Sequence, residues 1–275
     1  MECNIIKIKN KLYYIDKPLI MGILNFTPDS FYSNSQTQKE DVYCKITQML
    51  YDGADIIDIG AISTNPNSKK ISENEEWMRI EPILKLILKH FPNKVFSIDT
   101  FRAKIAKRAV LDYGIDIIND ISGGEFDSEM FKTVAECSCP YVLMHLKGNF
   151  ETMHYSTDYK SIVEDMIYYF SKKINELHLL GVSDIIVDPG FGFSKTIDDN
   201  FLIMSKLSQF KIFELPILIG ISRKSMIWKT IKTTPEMALN GTSALNMFSL
   251  INGANILRVH DVLEAKQCVD LFLNF

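Results

Sequence analysis

The stretch Met21-Gly-Ile-Leu-Asn-Phe-Thr-Pro-Asp-Ser-Phe31 decides the fold. Leu19 to Leu24 is a short apolar run and reads as a buried strand. The run stops at Asn25. Pro28, with no N–H and a fixed φ, keeps the strand from resuming. A buried strand thus delivers an amide side chain and a polar loop to one edge of a sheet. The same grammar then recurs. Asp55-Ile-Ile-Asp-Ile59 runs into Gly60, Val95-Phe-Ser-Ile98 into Asp99, and Ile115-Asp-Ile-Ile118 into Asn119. Tyr141-Val-Leu-Met144 runs into His145, Asp184-Ile-Ile-Val187 into Asp188, and Pro216-Ile-Leu-Ile219 into Gly220, Ser222 and Lys224. Asn255-Ile-Leu-Arg-Val259 closes the series at His260.

Between these runs the pattern predicts helices over 39–52, 102–112, 127–137, 158–180, 198–209 and 235–251, and a last one to about Leu273. Ser72-Glu-Asn-Glu75 reads as a capping box before a further helix that ends near His90. Residues 5–8 and 12–15 read as an N-terminal β-hairpin. Eight strands alternating with helices in a uniform rhythm favour a (β/α)8 TIM barrel, a fold that typically takes ~250 residues. We therefore expect one domain over 1–275, with the hairpin in 1–18 and the barrel in 19–275. In a closed barrel the strand-end polar residues converge on one face, where enzymes on this fold carry their chemistry.

Composition narrows the function. Of 275 residues, 47% are hydrophobic and 23% charged, with a formal net charge of −4, which argues against a nucleic-acid binder. The five cysteines are odd in number and Cys137-Ser-Cys139 is not a zinc or redox spacing, so reduced thiols of a cytoplasmic protein are expected. No signal-peptide pattern and no ~20-residue apolar span for a membrane is present.

Asp99, Asn119 and Asp188 make an acceptor-rich set suited to a flat heterocycle with several N–H donors. Any one of them alone reads equally well as a helix cap; three at matched strand ends point to a ligand. Lys224, Arg258 and His260, with Asn25 across the mouth, form a cationic set suited to phosphate or carboxylate. Arg258 also reads as the partner of a neighbouring acid. Gly190-Phe-Gly192 lacks the third glycine of a dinucleotide fingerprint, and Gly220-Ile-Ser-Arg-Lys224 lacks the second glycine of a nucleophile elbow.

With these residues assembled, the chain resembles the dihydropteroate synthase family. The resemblance rests on MGILNFTPDSF (21–31), DIIDIGAIST (55–64), SIDT (97–100), DIIND (116–120), DPGFGF (188–193), GISRKS (220–225) and RVHDV (258–262), in that order. It implies a TIM barrel that joins 6-hydroxymethyl-7,8-dihydropterin pyrophosphate to p-aminobenzoate, with Mg2+ assisting, and a homodimer. By position, Asp99, Asn119, Asp188 and Lys224 would hold the pterin, and Ile121, Met144, Phe193 and Gly220 would line its pocket. Asn25 would meet the Mg2+–pyrophosphate, and Arg258 and His260 would bind pyrophosphate oxygens. Ser222 and the loops after the first two strands, with Thr64, would form the aminobenzoate site. Ser33 stands where the family pattern has Asp, and Asn65 where it has Arg. Those departures keep a non-catalytic pterin-binding paralogue as an alternative. A methyltetrahydrofolate-binding methyltransferase domain is a second alternative, which the absent cobalamin motif and the retained Arg258 and His260 disfavour.

Overall fold

The computed structural model describes residues 4–9, 11–25, 36–61, 71–153, 155 and 157–275. Strands β1 (Asn4–Ile8) and β2 (Lys11–Ile15) pair antiparallel, with Ile8 opposite Lys11, as the expected hairpin. Eight parallel strands follow: β3 (Leu19–Asn25), β4 (Ile56–Gly60), β5 (Val95–Asp99), β6 (Ile117–Asp120), β7 (Tyr141–Met144), β8 (Ile185–Asp188), β9 (Leu218–Ile219) and β10 (Ile256–Val259). From β3 to β8 each strand pairs with the next, β10 lies between β9 and β3, and a parallel bridge from Val187 to Ile217 completes the ring. The architecture is the (β/α)8 barrel that the strand rhythm implies.

The helices are α1 (Gln36–Tyr51), α2 (Glu73–His90), α3 (Ala103–Tyr113), α4 (Met130–Cys137), α5 (Ile162–Leu179), α6 (Ile197–Ser205), α7 (Ser225–Thr230), α8 (Leu239–Ile251) and α9 (Val262–Phe272). Their apolar stripes meet the outward side chains of the strands. Ile57 and Ile59 of β4, for example, share a buried cluster with Val42 and Ile46 of α1 and Trp77 and Ile80 of α2. Gly114, at φ 69°, ends α3 in the left-handed conformation that glycine adopts without a Cβ penalty.

Three local expectations are corrected. Ser72 Oγ does accept the Glu75 N–H (3.2 Å), but the Glu75 carboxylate turns to Arg79 Nη2 (2.6 Å), so the reciprocal half of that box is not made. The reciprocal box sits instead at Thr196 and Asp199, opening α6. The helix expected over 198–209 is α6 followed by a 3-10 turn at Leu207–Phe213, and α7 precedes α8 where one helix over 235–251 was expected. Residues 235–238 form turns instead, closed by the Met237 N–H on the Thr234 carbonyl and the Ala238 N–H on the Pro235 carbonyl, so α8 starts at Leu239, and the six residues of α7 are too few to show a period.

The inner side chains of the strands start with an apolar layer. Leu19, Met21, Ile56, Ile117, Val142, Ile186, Leu218 and Ile256 pack together, and Ile6, Ile8 and Ile15 of the hairpin close the layer from below. The N-terminal strand edge is bracketed by side-chain acceptors on alternate strands. Asp55 takes the Ile20 N–H (2.9 Å), Asp116 that of Phe96 (2.9 Å), Asp184 that of Lys7 (2.7 Å) and Asn255 that of Ile217 (2.9 Å). No helix among the described residues is long and apolar enough to cross a membrane, and the four described cysteines are free thiols.

Candidate active site

Strand alternation places a polar layer directly above the apolar one. Counting by twos from the plugged end, Asp58 follows Ile56 inward, Ser97 and then Asp99 follow Val95, Asn119 follows Ile117, Met144 follows Val142, Asp188 follows Ile186, Gly220 follows Leu218 and Arg258 follows Ile256. Register sets Asn25, Gly60, Asp99 and Asn119 side by side on four consecutive strands, and Met144 beside Asp188. These are the carboxyl ends of parallel strands, where the connecting loops gather.

Arg258 is the hub of this layer. Its Nε donates to Asp58 Oδ2 (2.7 Å) and its Nη2 to Asp99 Oδ2 (2.6 Å). Asn119 Nδ2 donates to the same Asp58 oxygen (2.8 Å). Burial pushes the Asp99 carboxyl up to about 7, against the pull of Arg258 and with help from the Asp58 charge. Burial likewise raises Asp188, opposed by the Lys224 charge and by the hydrogen bond from the Gly190 N–H (2.7 Å). Lys224 is brought down to about 8 by its own burial, which Asp188 only partly offsets. Its ammonium donates to the Phe191 carbonyl and lies 4.5 Å from the centre of the Phe193 ring. Gly192, at φ 80°, makes room for it; a Cβ there would lie 3.0 Å from Lys224 Cδ.

An apolar rim stands over the polar layer. Phe101, Ile121, Met144, Leu146, Met153 and Phe193 form one buried cluster, joined from the side by Phe126 and Phe150. Polar groups deep and apolar walls above suit a flat ligand that is polar along one edge. Near the rim, Ser222 Oγ and His260 Nδ1 share a hydrogen bond (3.0 Å). Desolvation, then the neighbouring Arg258 charge, hold the His260 imidazole down at about 4. That shift favours the neutral ring over the imidazolium.

The structure brings together Asn119, Asp99 and Arg258 in one bonded network, and sets Ile121, Met144 and Phe193 in one wall. His145 goes elsewhere. One residue past Met144, it faces outward, with its ring centre 4.9 Å from that of Tyr169. Arg258 meets two carboxylates, the partner reading noted from sequence. Thr64, Ser33 and Asn65 lie outside the described residues.

Two residues were missed. Asp58 is fully buried inside β4, hidden within an apolar run. Its signal is positional: it lies two residues before Gly60 and therefore points the same way. Lys195 is buried too, and donates to the carbonyls of His145 (3.2 Å), Gly190 (3.0 Å) and Phe193 (3.0 Å), tying the segments after β7 and β8 together. Burial lowers it to about 7.

Comparison with known proteins agrees with this geometry. Residues 21–260 match the family model described as pterin binding enzyme. The dihydropteroate synthase of Clostridium beijerinckii is 41% identical over 270 residues, covering 96% of this chain and 97% of that protein. A crystal structure of dihydropteroate synthase from Clostridium difficile in the presence of pteroic acid superposes with a TM-score of 0.87 at 32% identity, covering 94% of this chain and 97% of that one. The Xanthomonas albilineans enzyme with 4-aminobenzoic acid gives 0.89 at 28% identity over 99% and 98% of the two chains. On its strand-end residues, its barrel and these relatives together, the chain belongs to the pterin-binding enzymes of the dihydropteroate synthase family.

Proposed function

We propose that this protein is a dihydropteroate synthase that condenses 6-hydroxymethyl-7,8-dihydropterin pyrophosphate with p-aminobenzoate, giving 7,8-dihydropteroate and pyrophosphate. The observation that carries the reading is the set of half-buried Asp99 with buried Asn119 and Asp188, beside Lys224 and Arg258 and beneath an apolar rim. Under this reading the three acceptors take the N–H groups of the amino-pyrimidine edge, and Lys224 donates to the ring's acceptor atoms. Ile121, Met144 and Phe193 cover the flat faces, and the open backbone at Gly220 leaves room beside Arg258. Arg258 and His260 face the phosphate side, the latter as a neutral donor positioned by Ser222. In the reaction the bond from the exocyclic methylene to the pyrophosphate oxygen breaks and one to the arylamine nitrogen forms, after which that nitrogen sheds a proton. Donors already aimed at the departing oxygens stabilise the charge that develops there.

For Mg2+, no three His, Cys, Asp or Glu side chains come together among the described residues. Asn25 Oδ1 lies 2.9 Å from where a Cβ on Gly60 would stand, so glycine there is what admits the amide. A single neutral oxygen suits Mg2+ that takes most of its remaining ligands from phosphate and water. When bound, the ion would neutralise the departing pyrophosphate; Asn25 would hold it. A homodimer through the barrel helices fits Phe248 and Ile251 of α8, which stay exposed, and the cytoplasm fits the free thiols.

The decisive assay supplies both substrates and follows pyrophosphate. One pteroate per pyrophosphate is expected. Pterin binding without turnover would mark a non-catalytic paralogue instead.

The electrostatics add a pH expectation. The acceptor role needs Asp99 ionised, and the donor role needs Lys224 charged. With these groups at about 7 and about 8 in the free protein, affinity for a phosphate-free pterin should peak between the two. Below the lower limit protons compete for Asp99, and affinity should fall by about tenfold per pH unit. Above the upper limit Lys224 loses its charge, and affinity should fall again. Calorimetry across this range checks it; a flat profile would mean that neither group titrates against the ligand.

A further inference from the structure

Asp58 is 0% exposed, and its side-chain donors among the described residues are two members of the site. Oδ2 accepts from Asn119 Nδ2 (2.8 Å) and from Arg258 Nε (2.7 Å). Oδ1 makes no hydrogen bond to a described residue, and neither does Ser97 Oγ, its register neighbour on β5. Asp58 is therefore not a member of a separate bracing network, unlike the acids at the plugged end, which hold backbone N–H groups. What it touches is recognition machinery.

The contact to Asn119 carries information. A carboxamide presents an oxygen and an NH2 of nearly the same shape, and only its neighbours decide which end faces which way. An ionised carboxylate accepts and never donates, so it selects the NH2 of Asn119. The Arg258 guanidinium on the same oxygen supplies the countercharge. With the NH2 spent on Asp58, the carbonyl oxygen is the end of Asn119 left for a ligand. An amide flipped the other way would offer a donor where an amino-pyrimidine edge also offers donors, and would repel it.

We propose that Asp58 is a positioning residue that fixes the amide of Asn119 as a hydrogen-bond acceptor toward the pterin. This rests on the pterin reading given above. Asp58 itself meets no ligand atom under this proposal; it acts through Asn119.

The test is calorimetry of the full chain with a phosphate-free 6-hydroxymethylpterin. Asp58→Asn keeps the shape but can donate as well as accept, so it no longer selects one end of Asn119. Its affinity should fall at least about tenfold. In an Asn119→Ala background the same change should cost under about threefold, because the residue it acts through is gone. A merely structural role would cost the same in both backgrounds. The exchange Asp58→Asn with Asn119→Asp keeps one acid and one amide and leaves an acceptor at position 119. It should return affinity to within about fivefold of the parent. Equal loss in both backgrounds, parental affinity in Asp58→Asn, or an exchange no better than Asp58→Asn each overturns the proposal. If Asp58→Asn does not fold, the exchange decides alone: near-parental binding supports the proposal and weak binding overturns it. A parent chain that binds no pterin sinks the functional reading itself, whatever the variants do.

Discussion

Arg258→Ala is expected to cost about 3–5 kcal/mol of folding stability, the range for removing one partner of a buried ion pair. Arg258 is the shared counterion of Asp58, which is fully enclosed, and of Asp99, whose side chain is 12% exposed. Taking it away leaves two carboxylates in a dry layer, where an unpaired charge is expensive. The cost should depend on pH, with a predictable sign. Asp99 is already raised in the folded chain, to about 7. Between its unfolded and folded values the folded chain holds more protons than the unfolded one, so stability falls as pH rises. Without Arg258 the folded value climbs further and that fall extends to higher pH. The deficit of the variant should therefore be larger at pH 8 than at pH 6. Urea unfolding of parent and variant at both values measures it. A deficit under about 1 kcal/mol at pH 8 would mean that the guanidinium is not the counterion of the pair. In the same variant, pterin pyrophosphate should lose more affinity than a pterin without phosphates, because a charge-assisted contact to the anion is what goes missing. Equal losses would assign Arg258 to the carboxylates alone.

For Asp188→Ala, pterin affinity should fall between about fivefold and about 150-fold, equivalent to ~1–3 kcal/mol for a ligand donor left without its acceptor. The carboxylate does three things at once. It is one of three acceptors, it receives the Gly190 N–H (2.7 Å) at the turn after β8, and its charge holds up the protonated form of Lys224. The third effect gives an internal check. Without Asp188 the ammonium should release its proton at lower pH, so the upper edge of the binding window should move down from about 8. Calorimetric titration in a series of buffers reports both quantities. Affinity within twofold of the parent would remove Asp188 from the ligand's partners.

The barrel could be read from the chain because a parallel strand buried on both faces is an uninterrupted apolar run. Tyr141–Met144 has the bounds that its sequence suggests. Asp99, Asn119 and Asp188 were legible for the complementary reason, that a polar residue ending such a run has to be at the rim or paired. Reading only the ends had a cost. Asp58 interrupts β4 in its middle, and the neighbours that make burial of a charge tolerable, Asn119 and Arg258, are 61 and 200 residues away. No local pattern announces such a partner. His145 shows the reverse failure. It ends a strand and is polar, yet alternation turns it from the mouth toward α5, where Tyr169 and Phe170 receive it. Parity along the strand, counted from an apolar residue known to face inward, separates the two cases.

The hairpin under the barrel has a consequence for how the family can change. The acceptors at Asp55, Asp116, Asp184 and Asn255, together with Ile6, Ile8 and Ile15, fasten the strands at one end. The ligand-facing residues stand at the other. Foundation and workplace are thus separate tenants of the same strands. Substitutions near the mouth can accumulate without loosening what keeps the cylinder closed. Selection at the mouth, whether by substrate or by an inhibitor, can then act on loops while the base stays as it is.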